Sequence, residues 1–312
     1  MATSAPKESN AWRGVFSILC TPFDSDGALD WSSLVREIHF CLGAGAHGLV
    51  CNVNASESWT LSDDERRRVV ETVVEEVSGQ VPVIVGVSAG ALPPSVSFAR
   101  HAAEVGADGV MAMPPPSRMG VGVDPMAFYA GLAEVAEVPV IIQNHDPPLG
   151  TRMPAALVAE IVTAVPGVDW IKEETIPSGH AMSEELSLCG EKLRGVMGGM
   201  AGRYLLDEHR RGSAGTMPAC ESTDVHALIW NLLDAGRADE ARAAFTRLLP
   251  LLNYEAVSSG VYKAVLRWRG VIDTDYLRSA NGNPLDAGDR EELWAVLESI
   301  RDLLVIYPPS LR

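Results

Sequence analysis

Long apolar runs are missing: nowhere in the 312 residues do about 18 uncharged apolar positions follow one another. That excludes an ordinary membrane-spanning helix, and the opening MATSAPKESNAWRG has no apolar core of a secretory signal. Basic charge is scarce as well: 25 Lys and Arg face 41 Asp and Glu, a formal net charge of −16 with no basic block to offset it. A surface of that sign repels phosphate backbones, so nucleic acid is excluded as a partner class. Cysteine is sparse and without pattern. Cys20, Cys41, Cys51, Cys189 and Cys220 are odd in number, scattered and free of any CxxC pair. This argues against a disulfide framework and a structural zinc site, and for buried thiols in a reducing compartment; the expected location is the cytoplasm. No His-x-His or paired carboxylates at ligand spacing point to a metal, and no other cofactor is expected. Also absent are a Gly-x-Gly-x-x-Gly after the first apolar run and any linker rich in Pro, Gly or Ser. The first absence disfavours an open dinucleotide-binding sheet.

What is present is an alternation of short β-branched runs with longer amphipathic stretches. Strands are expected near 15–20, 48–52, 81–87 and 109–113, then near 138–143, 168–172, 193–197 and 214–217. They are apolar without alternation, as strands covered on both faces should be. Helical patterns fill the gaps at 32–42, 63–77, 94–105, 125–135, 154–165, 183–190 and 201–211. Ser62 ahead of Asp63-Asp64-Glu65 is a capping signal. Gly45-Ala46-His47-Gly48-Leu49-Val50 echoes Gly106-Ala107-Asp108-Gly109-Val110-Met111, and Val81-Pro82-Val83-Ile84-Val85 echoes Val138-Pro139-Val140-Ile141-Ile142. Eight repeated βα units predict a (β/α)8 barrel over residues 1–222. Residues 223–312 read as helices only, at 225–235, 238–252, 260–267 and 289–306, a C-terminal extension packed on the barrel. Within it Ala241, Ala244, Phe245, Leu248 and Leu249 mark one amphipathic face.

Active sites of such barrels lie at the C-terminal ends of the strands. Those ends carry Thr21-Pro22-Phe23, Asn52 to Ser58, Pro114-Pro115-Pro116-Ser117, Gln143-Asn144-His145-Asp146, Lys172-Glu173-Glu174, Gly198-Gly199 and Met217-Pro218. Lys172 closes the run Val168-Asp169-Trp170-Ile171. An amine desolvated there becomes easier to deprotonate, and a neutral amine can attack a ketone to give an electron-withdrawing iminium. The alternative is a strand-end lysine that merely pairs with Glu173 or Glu174, and the spacing alone leaves both open. Glu174, two residues on, shares a strand face with Lys172. Near an apolar wall its carboxyl would have a raised pKa and could serve as both acid and base. Glu57, His145 and Asp146 are further titratable candidates; Glu57 has the competing role of tying down its own loop, and His145 that of facing solvent. Ser56, Ser58 and the amides of the 54–56 turn offer contacts for a substrate carboxylate, with Thr21 beside them. Gly198 and Gly199 would allow close approach to the backbone.

Thr21-Pro22-Phe23, the stretch ending Glu57 with Leu61 and Asp64-Glu65-Arg66 behind it, Val138-Pro139-Val140, and Ile171-Lys172-Glu173 stand in one order and register. In this the chain resembles the dihydrodipicolinate synthase / N-acetylneuraminate lyase family of class I aldolases over about its first 220 residues. The resemblance implies a Schiff base on Lys172 and a homo-oligomer, a tetramer or dimer. It also exposes departures. The family's two carboxylate-binding threonines fall on Asn54 and Ala55, and its catalytic tyrosine falls on Gln143, whose amide cannot shuttle a proton. The tyrosine lent between subunits is lost in Pro114-Pro115-Pro116, and no arginine stands near Pro148 for a second carboxylate. True dihydrodipicolinate synthesis is therefore not expected. Gln143, together with the 195–199 and 212–218 stretches and Glu208, resembles a branch acting on 2-oxo-3-deoxy sugar acids. The expected function is a cofactor-independent dehydratase or aldolase on a 2-oxo acid. The alternative is a barrel that has lost catalysis and binds a sugar acid in a regulatory role.

Overall fold

The computed structural model describes residues 12–115, 123–148, 150–279 and 284–305. The first half of the ring runs β1 (Gly14–Ile18), α1 (Trp31–Gly43), β2 (Gly48–Cys51), α2 (Asp63–Val77), β3 (Val83–Gly86), α3 (Leu92–Glu104), β4 (Gly109–Ala112) and α4 (Pro125–Ala136). The second half runs β5 (Val140–His145), α5 (Ala155–Ala164), β6 (Val168–Glu174), α6 (Ser178–Cys189), β7 (Gly195–Gly198), α7 (Leu205–Arg210), β8 (Gly215–Thr216) and α8 (Thr223–Asp234). Three more helices follow: α9 (Ala238–Glu255), α10 (Gly260–Trp268) and α11 (Ala287–Ser299). All eight strands are parallel, pair in chain order, and close β8 onto β1, which is the expected (β/α)8 barrel. No described helix is long and apolar enough to cross a membrane.

Strand alternation sorts the side chains into two cores. Phe16, Ile18, Val50, Ile84, Ile141 and Trp170 fill the inside of the ring, where Trp12 stacks on Trp170 at 4.9 Å. Leu49, Val85, Val110, Ile142, Ile171 and Val196 point outward into the helix layer. Burial on both faces is why these strands read as continuous apolar runs. Ser62 and Glu65 form the capping box expected at the start of α2, each side chain bonding the other's backbone N–H. α8 packs on β1 and on α9, and the apolar faces of α9, α10 and α11 form one cluster with α8.

Several boundaries differ from the sequence expectation for identifiable reasons. β5 and β6 continue past Gln143 and Lys172 because their pairing extends through Asn144–Glu173 and His145–Glu174. β8 keeps only Gly215 and Thr216; a Cβ on Gly215 would lie 2.3 Å from the Gly14 carbonyl oxygen, so glycine permits the closing contact. α7 starts at Leu205 rather than near 201, since Met200 and Ala201 adopt φ of 51° and 58°, outside helical space. On α9 the buried face is Ala241, Ala244, Phe245, Leu248, Leu251 and Leu252, while Leu249 faces solvent. Pro116, Ser117 and Ile306, named in the sequence reading, lie outside the described residues.

Candidate active site

The β5–β6 extension carries the candidate residues. Trp170, Lys172 and Glu174 alternate onto the inner face of β6, and the register sets Gln143 beside Lys172 and His145 beside Glu174. All but Trp170 of these line a cavity of about 390 Å³ at the C-terminal mouth of the barrel, together with Asn54 and Ala55. Lys172 Nζ lies 3.2 Å from Glu174 Oε1, with side chains only 3% and 9% exposed. Gln143 Nε2 donates to Glu174 Oε2 at 2.6 Å, and the Met200 amide donates to Oε1 at 3.3 Å. Glu174 is thus held at both oxygens within reach of the amine.

Burial alone would raise the Glu174 carboxyl. The charges of Lys172 and His145 and the hydrogen bond from Gln143 outweigh it and hold the carboxyl below its ordinary range. This corrects the sequence expectation of a raised value: the wall near Glu174 is apolar, but its contacts are cationic and donating. His145 Nδ1 lies 2.7 Å from the Asp146 carbonyl oxygen, which requires an N–H there and leaves Nε2 as the ring's second nitrogen. Asp146 accepts from the Ile176 amide and faces Arg152, so it anchors a loop.

Other expected substrate contacts sit elsewhere. The Ser56 hydroxyl donates to the Leu19 carbonyl at 2.6 Å, and the Thr21 hydroxyl donates to the Ser56 carbonyl at 2.5 Å. Both are buried and tie the end of β1 to the 54–56 turn rather than reaching the cavity. The Ser56 amide is likewise engaged, by the Val53 carbonyl. Ser58 opens the next 3-10 turn, away from the lining. Glu57 pairs with Lys263 of α10 and accepts from the Ser279 amide, so it locks its loop to the C-terminal helices. Gly198 and Gly199 make room for protein rather than substrate. A Cβ on Gly198 would fall 1.8 Å from Glu208 Oε2, and one on Gly199 would fall 2.3 Å from Glu174 Cγ. Gly199→Ala should therefore leave the fold intact but dislodge Glu174, lowering kcat by about 10- to 100-fold with little change in KM. Steady-state kinetics beside a circular dichroism spectrum checks this, and unaltered kcat would show that Glu174 tolerates displacement.

The rest of the lining comes from segments that sequence reading did not connect. Trp59, 58% exposed, stands on the rim. Arg203, Glu255, Ser259 and Tyr262 close the far side, the last three from the end of α9, the following turn and α10. Burial, reinforced by the charge of Glu221, raises the Glu255 carboxyl well above its ordinary value, against the opposing charge of Arg203. No local signal marked these positions, since they lie far from Lys172 in the chain and reach it only through packing.

Behind Lys172 lies a second acidic layer. Glu173 points outward, accepting from Asn144 Nδ2 at 2.8 Å and from the Thr175 amide. Burial and the charge of Glu173 keep Glu185 protonated. Burial, with the charges of Asp207, Glu173 and Glu174, pushes Glu208 up to about 7 despite a hydrogen bond from Ser178. The folded protein therefore holds that proton more tightly than the unfolded chain, whose ordinary value is 4.5. Stability from this group is complete below about 4.5, falls as pH rises toward about 7, and then levels off. The loss is on the order of 1–3 kcal/mol. Glu208→Gln should be more stable than the parent at pH ~8 and lose that advantage at pH ~5, in chemical denaturation. A pH-independent difference would rule out this linkage.

A closed (β/α)8 barrel with a buried lysine at the mouth of β6, paired to a carboxylate inside a cavity, defines a class I lyase. The chain belongs to the Dihydrodipicolinate synthetase family, whose profile matches residues 11–300. It is 31% identical over 298 residues to the L-2-keto-3-deoxyarabonate dehydratase of Azospirillum brasilense, covering 94% of this chain and 96% of that one. It is 29% identical over 257 residues to the 4-hydroxy-tetrahydrodipicolinate synthase of Pelobacter propionicus, covering 78% and 82%. The dihydrodipicolinate synthase structure from Rhodopseudomonas palustris superposes with a TM-score of 0.84 at 27% identity, over 95% of this chain and all of that one.

Proposed function

We propose that this lyase dehydrates a 2-oxo-3-deoxy sugar acid through an imine on Lys172. The observation that carries the reading is the Lys172–Glu174 pair inside the cavity, with Gln143 where a tyrosine would otherwise shuttle protons. Glu174, already ionised, can accept a proton from the amine so that Nζ attacks the C2 ketone, whose oxygen leaves as water. The iminium acidifies the C3 hydrogens, and the Glu174 carboxylate is placed to take one. The resulting enamine expels the C4 hydroxyl, which leaves as water with a proton returned from Glu174. Hydrolysis of the unsaturated imine frees product and Lys172. One carboxyl then serves as base and acid in turn, so no titratable tyrosine is needed. Asn54 would hold the substrate carboxylate, with Ala55 leaving space beside it; both line the cavity. Dihydrodipicolinate synthesis is disfavoured by the same departures at Asn54, Ala55 and Gln143. The similarity to a 2-keto-3-deoxy acid dehydratase over nearly the whole chain supports this choice.

A screen of 2-oxo-3-deoxy acids, scored for dehydrated product and for pyruvate, tests the proposal. Dehydrated product is expected; pyruvate as the main product would make the enzyme an aldolase, and no turnover with any member would remove the reading. We further propose a cytoplasmic homo-oligomer, tetramer or dimer, whose contacts would cover exposed apolar side chains such as Leu188 and Leu249; light scattering on the full chain measures this.

A further inference from the structure

Three residues unused by the lyase site converge behind the seam where the barrel closes. Cys20 follows β1, Glu37 lies on α1, and Cys220 opens the 3-10 turn between β8 and α8. Cys20 and Cys220 Sγ and a Glu37 carboxylate oxygen all lie within 4.8 Å of one another. The Cys20 amide donates to Glu37 Oε1 at 2.6 Å, and the Cys220 thiol donates to the same oxygen at 2.8 Å. Glu37 Oε2 is buried without a hydrogen-bond partner among the described residues, in a side chain with no solvent exposure. Cys41 stands next to Cys220, within hydrogen-bonding reach of its thiol.

An orphaned carboxylate oxygen in a dry interior is costly unless it is protonated or meets a cation. The surroundings sharpen the shortage of donors. Glu255 Oε2 is met only by Arg203 at 3.8 Å, and Glu221 bears electrostatically on both Cys20 and Glu37. Two sulfurs and one carboxylate oxygen are a donor set suited to a borderline-soft divalent ion. Tetrahedral zinc, with bonds of about 2.3 Å to sulfur and 2.0–2.2 Å to oxygen, sets neighbouring sulfurs about 3.8 Å apart. The present spacing, within 4.8 Å, would have to close by up to about 1 Å to reach that.

We propose that Cys20, Cys220 and Glu37 form a structural site for a zinc-class divalent cation that staples β1 to the β8–α8 turn, with Cys41, beside Cys220, as the candidate fourth donor. Binding displaces the two thiol protons and the carboxyl proton, and the metal is taken up as the chain folds, because the site has no opening to solvent. The staple falls at the seam where the ring closes. β8 offers two residues to β1, joined by a single bridge from Ile18 to Ala219. No step of the proposed reaction passes through this site, so the two readings stand or fall separately.

The full chain, produced in zinc-supplemented medium and dialysed against a mild chelator, should retain about one zinc per polypeptide by elemental analysis. Cobalt-grown protein should show thiolate-to-metal absorption in the near ultraviolet and intense visible bands of a tetrahedral ion. Cys220→Ala should lose both signals and melt at a lower temperature, while still forming the pyruvate adduct on Lys172. If that variant does not fold, Cys20→Ser is read in the same way, and the cobalt spectrum of the parent decides by itself. Retention below roughly 0.1 zinc per chain, a weak octahedral cobalt spectrum, or unchanged metal content in the folded variant overturns the proposal.

Discussion

Lys172→Ala is expected to abolish the pyruvate adduct trapped by borohydride and to lower kcat by about 10⁴-fold or more. Among the described residues lining the cavity, Lys172 is the only lysine, and its amine is nearly inaccessible to bulk water. No neighbouring amine is therefore placed to take over. Lys172→Arg is the sharper control. Its guanidinium keeps the positive charge and the partnership with Glu174 but cannot give up a proton to become a nucleophile. Equal losses in both variants mean that covalency matters, whereas substantial activity in the arginine variant would mean that charge alone suffices. The readout is the mass of the reduced adduct located by peptide mapping. An adduct persisting elsewhere in Lys172→Ala would sink the assignment, and its absence from the parent with every 2-oxo acid would favour a binding-only barrel.

Glu174→Gln should cost about 10²- to 10⁴-fold in kcat while the trapped adduct still forms on prolonged incubation. The substitution preserves shape and removes the titrating group, so it separates proton transfer from imine formation. Its pH dependence has a definite sign. The Glu174 carboxyl is held below its ordinary 4.5, so the base stays ionised as pH falls from neutrality to that region, and activity limited by this group drops only at lower pH. The same depressed value contributes stability that is present above 4.5 and is lost as pH falls through the folded value. In Glu174→Gln that acid limb of the rate profile should vanish; a limb unchanged in position would assign it to another residue. Gly199→Ala perturbs the same carboxylate without removing it, so its smaller loss should carry the parental pH profile.

Much of the architecture was legible in the chain because strand burial and helix amphipathicity are local patterns. The α2 capping box needed four residues to read, and Lys172 and Glu174 share a face because β6 alternates. Element ends were less legible. The left-handed backbone at Met200 and Ala201 and the extra pairing of Asn144 with Glu173 depend on neighbours across the sheet. Hydroxyls were the least readable part of the site. Thr21 and Ser56 sit at the right strand ends, yet which carbonyl each meets is decided by how two loops fold together. The glycines after β7 were placed correctly on the ring, but what fills their missing side-chain space is Glu174 and Glu208, from elsewhere in the chain.

The order of residues by itself determined a parallel barrel, a lysine at the mouth of its sixth strand and a carboxylate two positions on, because each follows from period and spacing along one element. Only closure of the ring decided that Glu174 is ionised, that Arg203, Glu255 and Tyr262 wall the cavity, and that Cys20, Glu37 and Cys220 meet. Charge and coordination depend on distances of a few ångströms between segments far apart in the chain, and such distances exist only after β8 has found β1.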